Sequence, residues 1–96
     1  MLFTIISKDK PDSLDLRLQT RPSHLEYIKS LGDAVKLGGP FLDENGKPCG
    51  SLVIVEGDNI EGAREIASND PYTKAGLFAS TEISAWSWTV KNPENA

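Results

Sequence analysis

Ser51-Leu52-Val53-Ile54-Val55-Glu56 sets four apolar residues in a row, three of them β-branched, between polar ends. Such a run fits a strand buried on both faces. Alternation puts Leu52 and Ile54 on one side and Val53 and Val55 on the other, so both sides need cover. Leu2 to Ser7 repeats the pattern, with Leu2 and Ile6 against Phe3 and Ile5, until Lys8-Asp9-Lys10-Pro11-Asp12 ends it with charge and a proline. Upstream of the central run, Asp43-Glu44-Asn45-Gly46-Lys47-Pro48 is dense in turn-forming residues and predicts a link between antiparallel strands. Its partner is Val35 to Leu42, where Gly38-Gly39-Pro40 predicts a bulge or bend.

Between these strands the period lengthens. Leu14 and Leu18 lie four apart, and Leu25, Ile28 and Leu31 recur at three, which is helical spacing. Pro22 disfavours α geometry at Arg21 and suits a first helical position. The pattern predicts a short turn over Ser13–Gln19 and a main helix over Pro22–Gly32, with His24 in its first turn. Asp58 followed by Glu61 resembles a capping box, ahead of a helix over Asn59–Ser68 with Ile60, Ala63, Ile66 and Ala67 on one stripe. Asp70-Pro71 predicts a cap and first position for one further turn, and Thr81–Val90 a last strand. Lys91–Ala96 reads as a loose tail.

The order is β-α-β-β-α-β, the split pattern of the ferredoxin-like α+β fold, with two helices on one face of a four-stranded antiparallel sheet. Two short helices cover one face only. The other face predicts a homodimer packed sheet against sheet. Trp86 and Trp88, separated by Ser87, fall on one face of the last strand and suit that contact, with a stacking wall for a planar substrate as the alternative.

Ninety-six residues make a single domain over 1–96 whose core is modest, so a second subunit would help stabilise it. Ten basic against fourteen acidic residues, a net charge of −4, oppose phosphate neutralisation and argue against nucleic acid as a partner. Cys49 is the sole cysteine, which excludes an internal disulfide, and no Cys/His spacing supplies a zinc site. No apolar run reaches the length of a membrane span, the first residues lack a signal-peptide pattern, and a cytoplasmic protein is expected.

His24 is the one histidine, and it falls in the apolar arc of its helix with Ile28, Leu31 and Tyr27. A core histidine held by a backbone group is one account of it. Asp70 has an equally plain account as a helix cap. Topology connects them: the helices of this fold run antiparallel, so the start of the first lies beside the finish of the second and His24 should meet Asp70. A carboxylate on one imidazole nitrogen fixes the tautomer and frees the other nitrogen for proton transfer. Arg17 and Arg21 approach the same end and suit an anionic or phenolate oxygen, unless they merely face solvent. Tyr72 and Ser7 are further candidate substrate contacts, with an anchoring tyrosine and a strand-end serine as the plain readings. Gly38-Gly39-Pro40 lacks phosphate-loop spacing.

Arg21-Pro22-Ser23-His24-Leu25, Gly38-Gly39-Pro40 and Asn69-Asp70-Pro71-Tyr72, in this order and spacing, resemble the YCII-related proteins. The likeness extends from Leu2-Phe3-Thr4-Ile5-Ile6 through Ala75-Gly76-Leu77. It implies a ferredoxin-like dimeric α/β barrel and a proposed catalytic His–Asp pair at His24 and Asp70. Gly39 and Pro40 join Arg17, Arg21, Ser7 and Tyr72 as expected substrate-binding positions. The resemblance also implies small-molecule chemistry without metal or organic cofactor, its relatives including dehydrochlorinases of chlorinated hydroxyquinols and, more distantly, muconolactone isomerases. The expected function is therefore cofactor-free elimination or isomerisation of a hydroxylated aromatic or lactone. Two alternatives stand beside it: a dimeric module that only binds a small ligand, and a purely structural partner with no cavity at His24.

Overall fold

The computed structural model describes residues 1–95. Strands β1 (Leu2–Asp9), β2 (Val35–Leu42), β3 (Pro48–Glu56) and β4 (Phe78–Trp86) form one antiparallel sheet in the order β2-β3-β1-β4. Helices α1 (Leu14–Ser30) and α2 (Ile60–Asn69) and the single turn α3 (Pro71–Lys74) complete a ferredoxin-like α+β fold. Register places Phe3 opposite Val55 and Ile5 opposite Val53, and these four residues are buried together with Ala63 of α2. The strands that read as two-sided runs are thus the two central ones, where β1 and β3 pair with each other and with an outer strand each. Gly50 is required by this pairing, since a Cβ there would lie 2.6 Å from the Ser7 carbonyl oxygen.

The first helix differs from its expected form. In place of a short turn and a helix from Pro22, α1 runs unbroken from Leu14 to Ser30 with Pro22 inside it. The missing proline N–H leaves the Leu18 carbonyl without its helical donor. Contacts on both sides of the proline hold the helix: Arg17 is anchored in the interior, and Tyr27 donates its hydroxyl to the Ile66 carbonyl at the end of α2, 2.8 Å. His24 consequently sits in the second half of α1, well away from a helix N-terminus.

The other departures have similarly local causes. Asn59, in place of Asp58, caps α2 by accepting from the Gly62 N–H at 3.0 Å. The irregularities of β2 flank Gly38-Gly39-Pro40, falling between Val35 and Leu37 and between Phe41 and Leu42, while the Gly-Gly-Pro itself stays in register with β3. Strand β4 begins at Phe78 and stops at Trp86, whose partner Leu2 is the first residue of β1. Beyond Trp86 no strand remains to pair with, so Trp88 and Val90 leave the sheet and Trp88 donates its indole N–H to the Val90 carbonyl, 2.8 Å. The tail expected to be loose carries a short 3-10 turn at Pro93–Asn95. Ala96 lies outside the described residues.

Candidate active site

Asp70 is both the end of α2 and the start of α3. Its side chain accepts from the Tyr72 N–H at 2.9 Å, and Pro71 fills the first helical position, where a missing N–H is harmless. The same carboxylate reaches α1: His24 Nδ1 lies 2.9 Å from Oδ1 and 3.0 Å from Oδ2. A carboxylate only accepts, so Nδ1 carries the proton in this contact, and in the neutral imidazole Nε2 holds the lone pair. Nε2 has no hydrogen-bond partner among the described residues.

Tyr72 stacks on the His24 imidazole, with ring centroids 4.1 Å apart and planes 17° from parallel. Tyr72 and Phe78 pack edge to face with ring centroids 5.8 Å apart, and the Arg17 guanidinium carbon lies 4.6 Å from the Tyr72 ring centroid. Arg17 is only 4% exposed. It donates from Nε to Asp9 Oδ2 at 2.7 Å, from Nη2 to Asp9 Oδ1 at 2.9 Å, and from Nη2 to Ser51 Oγ at 2.8 Å. Burial works against this cation, but the hydrogen bonds and charge of Asp9 outweigh it and hold Arg17 above its ordinary value. Burial raises the Tyr72 hydroxyl above its usual range; Arg17 and Arg21 oppose that effect, and Asp70 and Asp9 reinforce it.

Of these groups, His24, Tyr72, Arg17 and Ser51 line a cavity of about 340 Å³ between α1 and the β2–β3 side of the sheet. Its volume lies within the range of small-molecule sites. Arg17, Arg21, His24 and Tyr72 supply the polar wall, Val53, Ile28 and Leu18 the apolar one, and Gly39 and Pro40 the β2 edge. The purely structural alternative, which needs this space filled, is contradicted by the cavity. Leu18 and Leu25, which contribute to the helical spacing of the sequence, are 48% and 51% exposed at this cavity while Arg17 is buried.

Of the expected site residues, the fold brings His24, Asp70, Arg17, Arg21, Tyr72, Gly39 and Pro40 into this one region. Ser7 is elsewhere. Its buried hydroxyl pairs with Thr81 Oγ1 at 3.1 Å, and it does not line the cavity. Asp9 and Ser51 escaped sequence reasoning, although Ser51 carried a signal: it alternates with Val53 and Val55 and is therefore a polar residue on an inward position. Among the described residues no group of three His, Cys, Asp or Glu is placed to hold a metal ion. No helix among them is long and apolar enough to cross a membrane.

The profile of the YCII-related domain matches residues 1–87. The chain belongs to the YCII-related family. Within it, the chain is 37% identical over 91 residues to the protein YciI of Escherichia coli, covering 86% of this chain and 93% of that relative. An uncharacterised YCII relative from Haemophilus influenzae is 36% identical over 91 residues, with the same coverage of 86% and 93%. Among solved structures, the chain is similar to 5-chloro-2-hydroxyhydroquinone dehydrochlorinase (TftG) of Burkholderia phenoliruptrix, in complex with 2,5-dihydroxybenzoquinone. That likeness has a TM-score of 0.86 at 36% identity and covers 96% of this chain and 99% of the other.

Proposed function

We propose that this YCII-related protein is a cofactor-free enzyme that uses His24 and Asp70 as a general acid–base pair on a hydroxylated ring or an unsaturated lactone. The observation that carries the reading is the bond of His24 Nδ1 to Asp70 at the wall of the cavity, which leaves Nε2 free. In the elimination route, Nε2 takes the proton of one ring hydroxyl and delivers it to the chlorine-bearing ring carbon, giving a keto tautomer. Nε2 then takes the proton of a second ring hydroxyl, a second carbonyl forms, and chloride leaves the now tetrahedral carbon with its bonding pair. In the isomerisation route Nε2 takes a proton from one carbon of the lactone, the double bond shifts, and the proton is returned to another carbon of the same molecule. Asp70 keeps the proton on Nδ1 and stabilises the imidazolium formed in either route.

Arg17 is a less available oxyanion partner than its sequence position suggests, because Asp9 and Ser51 occupy Nε and Nη2 and only Nη1 remains. Arg21 also lines the cavity and has no ion-pair partner among the described residues. The developing oxyanion is therefore assigned to Arg21 together with Arg17 Nη1. The similarity to a dehydrochlorinase with a dihydroxybenzoquinone bound supports a ring of this size and polarity.

The protein is further read as a cytoplasmic homodimer. Register puts Leu37, Ile54, Leu2 and Trp86 on the sheet face away from the helices, and Leu37, Phe41 and Trp86 are exposed there. A second copy laid face to face would cover them. The enzymatic reading is tested by absorbance screening of hydroxyquinols and unsaturated lactones, with His24→Ala as control. Turnover by the wild type alone is the expected result. A ring compound recovered unchanged after long incubation at several pH values would assign the cavity to binding only.

A further inference from the structure

We infer that Tyr72 is a positioning residue for His24, stacked on the imidazole and itself held in place by the Arg17 guanidinium over its ring. The bond from Nδ1 to Asp70 fixes one point of the imidazole but lets the ring pivot about that axis. Fixing the direction of Nε2 needs a second constraint across the ring plane, and the Tyr72 stack at 4.1 Å and 17° supplies it.

A ring can impose an orientation only if it is itself held. Tyr72 is 2% exposed, its N–H is bonded to Asp70, its ring packs edge to face with Phe78, and the Arg17 guanidinium lies over the ring. Arg17 is fixed in turn by three hydrogen bonds to Asp9 and Ser51. A planar fork so bound keeps one geometry, which a lysine cannot reproduce. This accounts for a feature that acid–base chemistry at His24 leaves unexplained. A buried ion pair is a poor source of stability, yet Asp9 and Arg17 form one beside the cavity. Its effect is to place a cation over Tyr72, and Asp9, Arg17, Tyr72, His24 and Asp70 then form one continuous column from β1 through α1 to α3.

Only the turnover arm of the test rests on the proposed function, because His24 is the sole histidine and its ring protons give unambiguous NMR signals. In the wild type those signals are shifted upfield by the Tyr72 ring current. Tyr72→Phe keeps the stack and the shift; Tyr72→Leu abolishes the shift. With 5-chloro-2-hydroxyhydroquinone as the probe, Tyr72→Leu lowers kcat about 10- to 100-fold with KM little changed, and Tyr72→Phe restores kcat. If Tyr72→Leu does not fold, Arg17→Lys takes its place, and a reduced upfield shift is expected. Equal loss of kcat in the Phe and Leu variants would overturn the inference in favour of a hydroxyl acting on the substrate. Wild-type-like His24 signals in Tyr72→Leu, or in Arg17→Lys where that variant stands in, would overturn it as well. Absence of wild-type turnover would defeat the proposed function and leave the ring-current result to decide this inference.

Discussion

Asp70 Oδ1 serves two partners at once, accepting the Tyr72 N–H at 2.9 Å and lying 2.9 Å from His24 Nδ1. One carboxylate therefore starts a helix and orients the imidazole of another. The cap expected of Asp70 and its expected contact with His24 are both made by the same oxygen.

That double role separates two substitutions. Asparagine also caps helices, so Asp70→Asn should leave thermal stability close to wild type, whereas Asp70→Ala should cost about 0.5–2 kcal/mol through the lost cap. Turnover should fall in both, by about 10² or more, because neither side chain stabilises the imidazolium. Melting curves and kcat measured on the two variants check this. An Asp70→Asn protein with full turnover would remove the carboxylate from the chemistry.

Asp9 and Arg17 are 7% and 4% exposed and bonded at 2.7 Å. Removing one partner strands the other charge in the interior, which costs about 3–5 kcal/mol, while replacing both with apolar residues avoids that penalty. Urea denaturation of Asp9→Leu, Arg17→Met and the double variant should show the double variant to be more stable than either single one. Additive losses would contradict a buried pair.

Both tyrosines point to an alkaline limit. Burial raises Tyr72 and Tyr27 above the ordinary value of 10.0, with Asp70 and Glu65 adding to the effect at Tyr27. A raised value means that the folded chain holds the phenolic proton more tightly than the unfolded one. Their stabilisation is complete below about pH 10 and declines as pH rises through the folded value. Denaturation between pH 8 and pH 11 should show this decline flattened in Tyr72→Phe relative to wild type.

The sheet face bearing Leu37, Phe41 and Trp86 carries the expectation of a dimer. Sedimentation velocity should give a dimer for the wild type and a shift toward monomer for Trp86→Glu, because a buried unpaired charge is costly. A monomeric wild type would contradict the sheet-to-sheet arrangement.

What could be read from the sequence follows from how local each signal is. Strand runs such as Val53-Ile54-Val55 and the Asp70-Pro71 cap are set by adjacent residues, and they stand where the spacing predicts. Pro22 misled because its local preference for a helix start is overridden by the anchors at Arg17 and Tyr27 on either side. His24 and Asp70 do meet, but not at the start of the first helix as expected: the finish of α2 faces the second half of α1. Arg17 is buried while Leu18, beside it in the sequence, is exposed. Periodicity shows which residues share a face, whereas Asp9 and Ser51, distant in sequence, decide that the arginine goes inside and the leucine borders a cavity.

The most direct test is chloride release from 5-chloro-2-hydroxyhydroquinone by the wild type and by His24→Ala, each first shown to be folded. If the imidazole moves the proton, the wild type releases chloride catalytically and the variant is slower by about 10² or more. Equal rates in the two proteins would contradict the account.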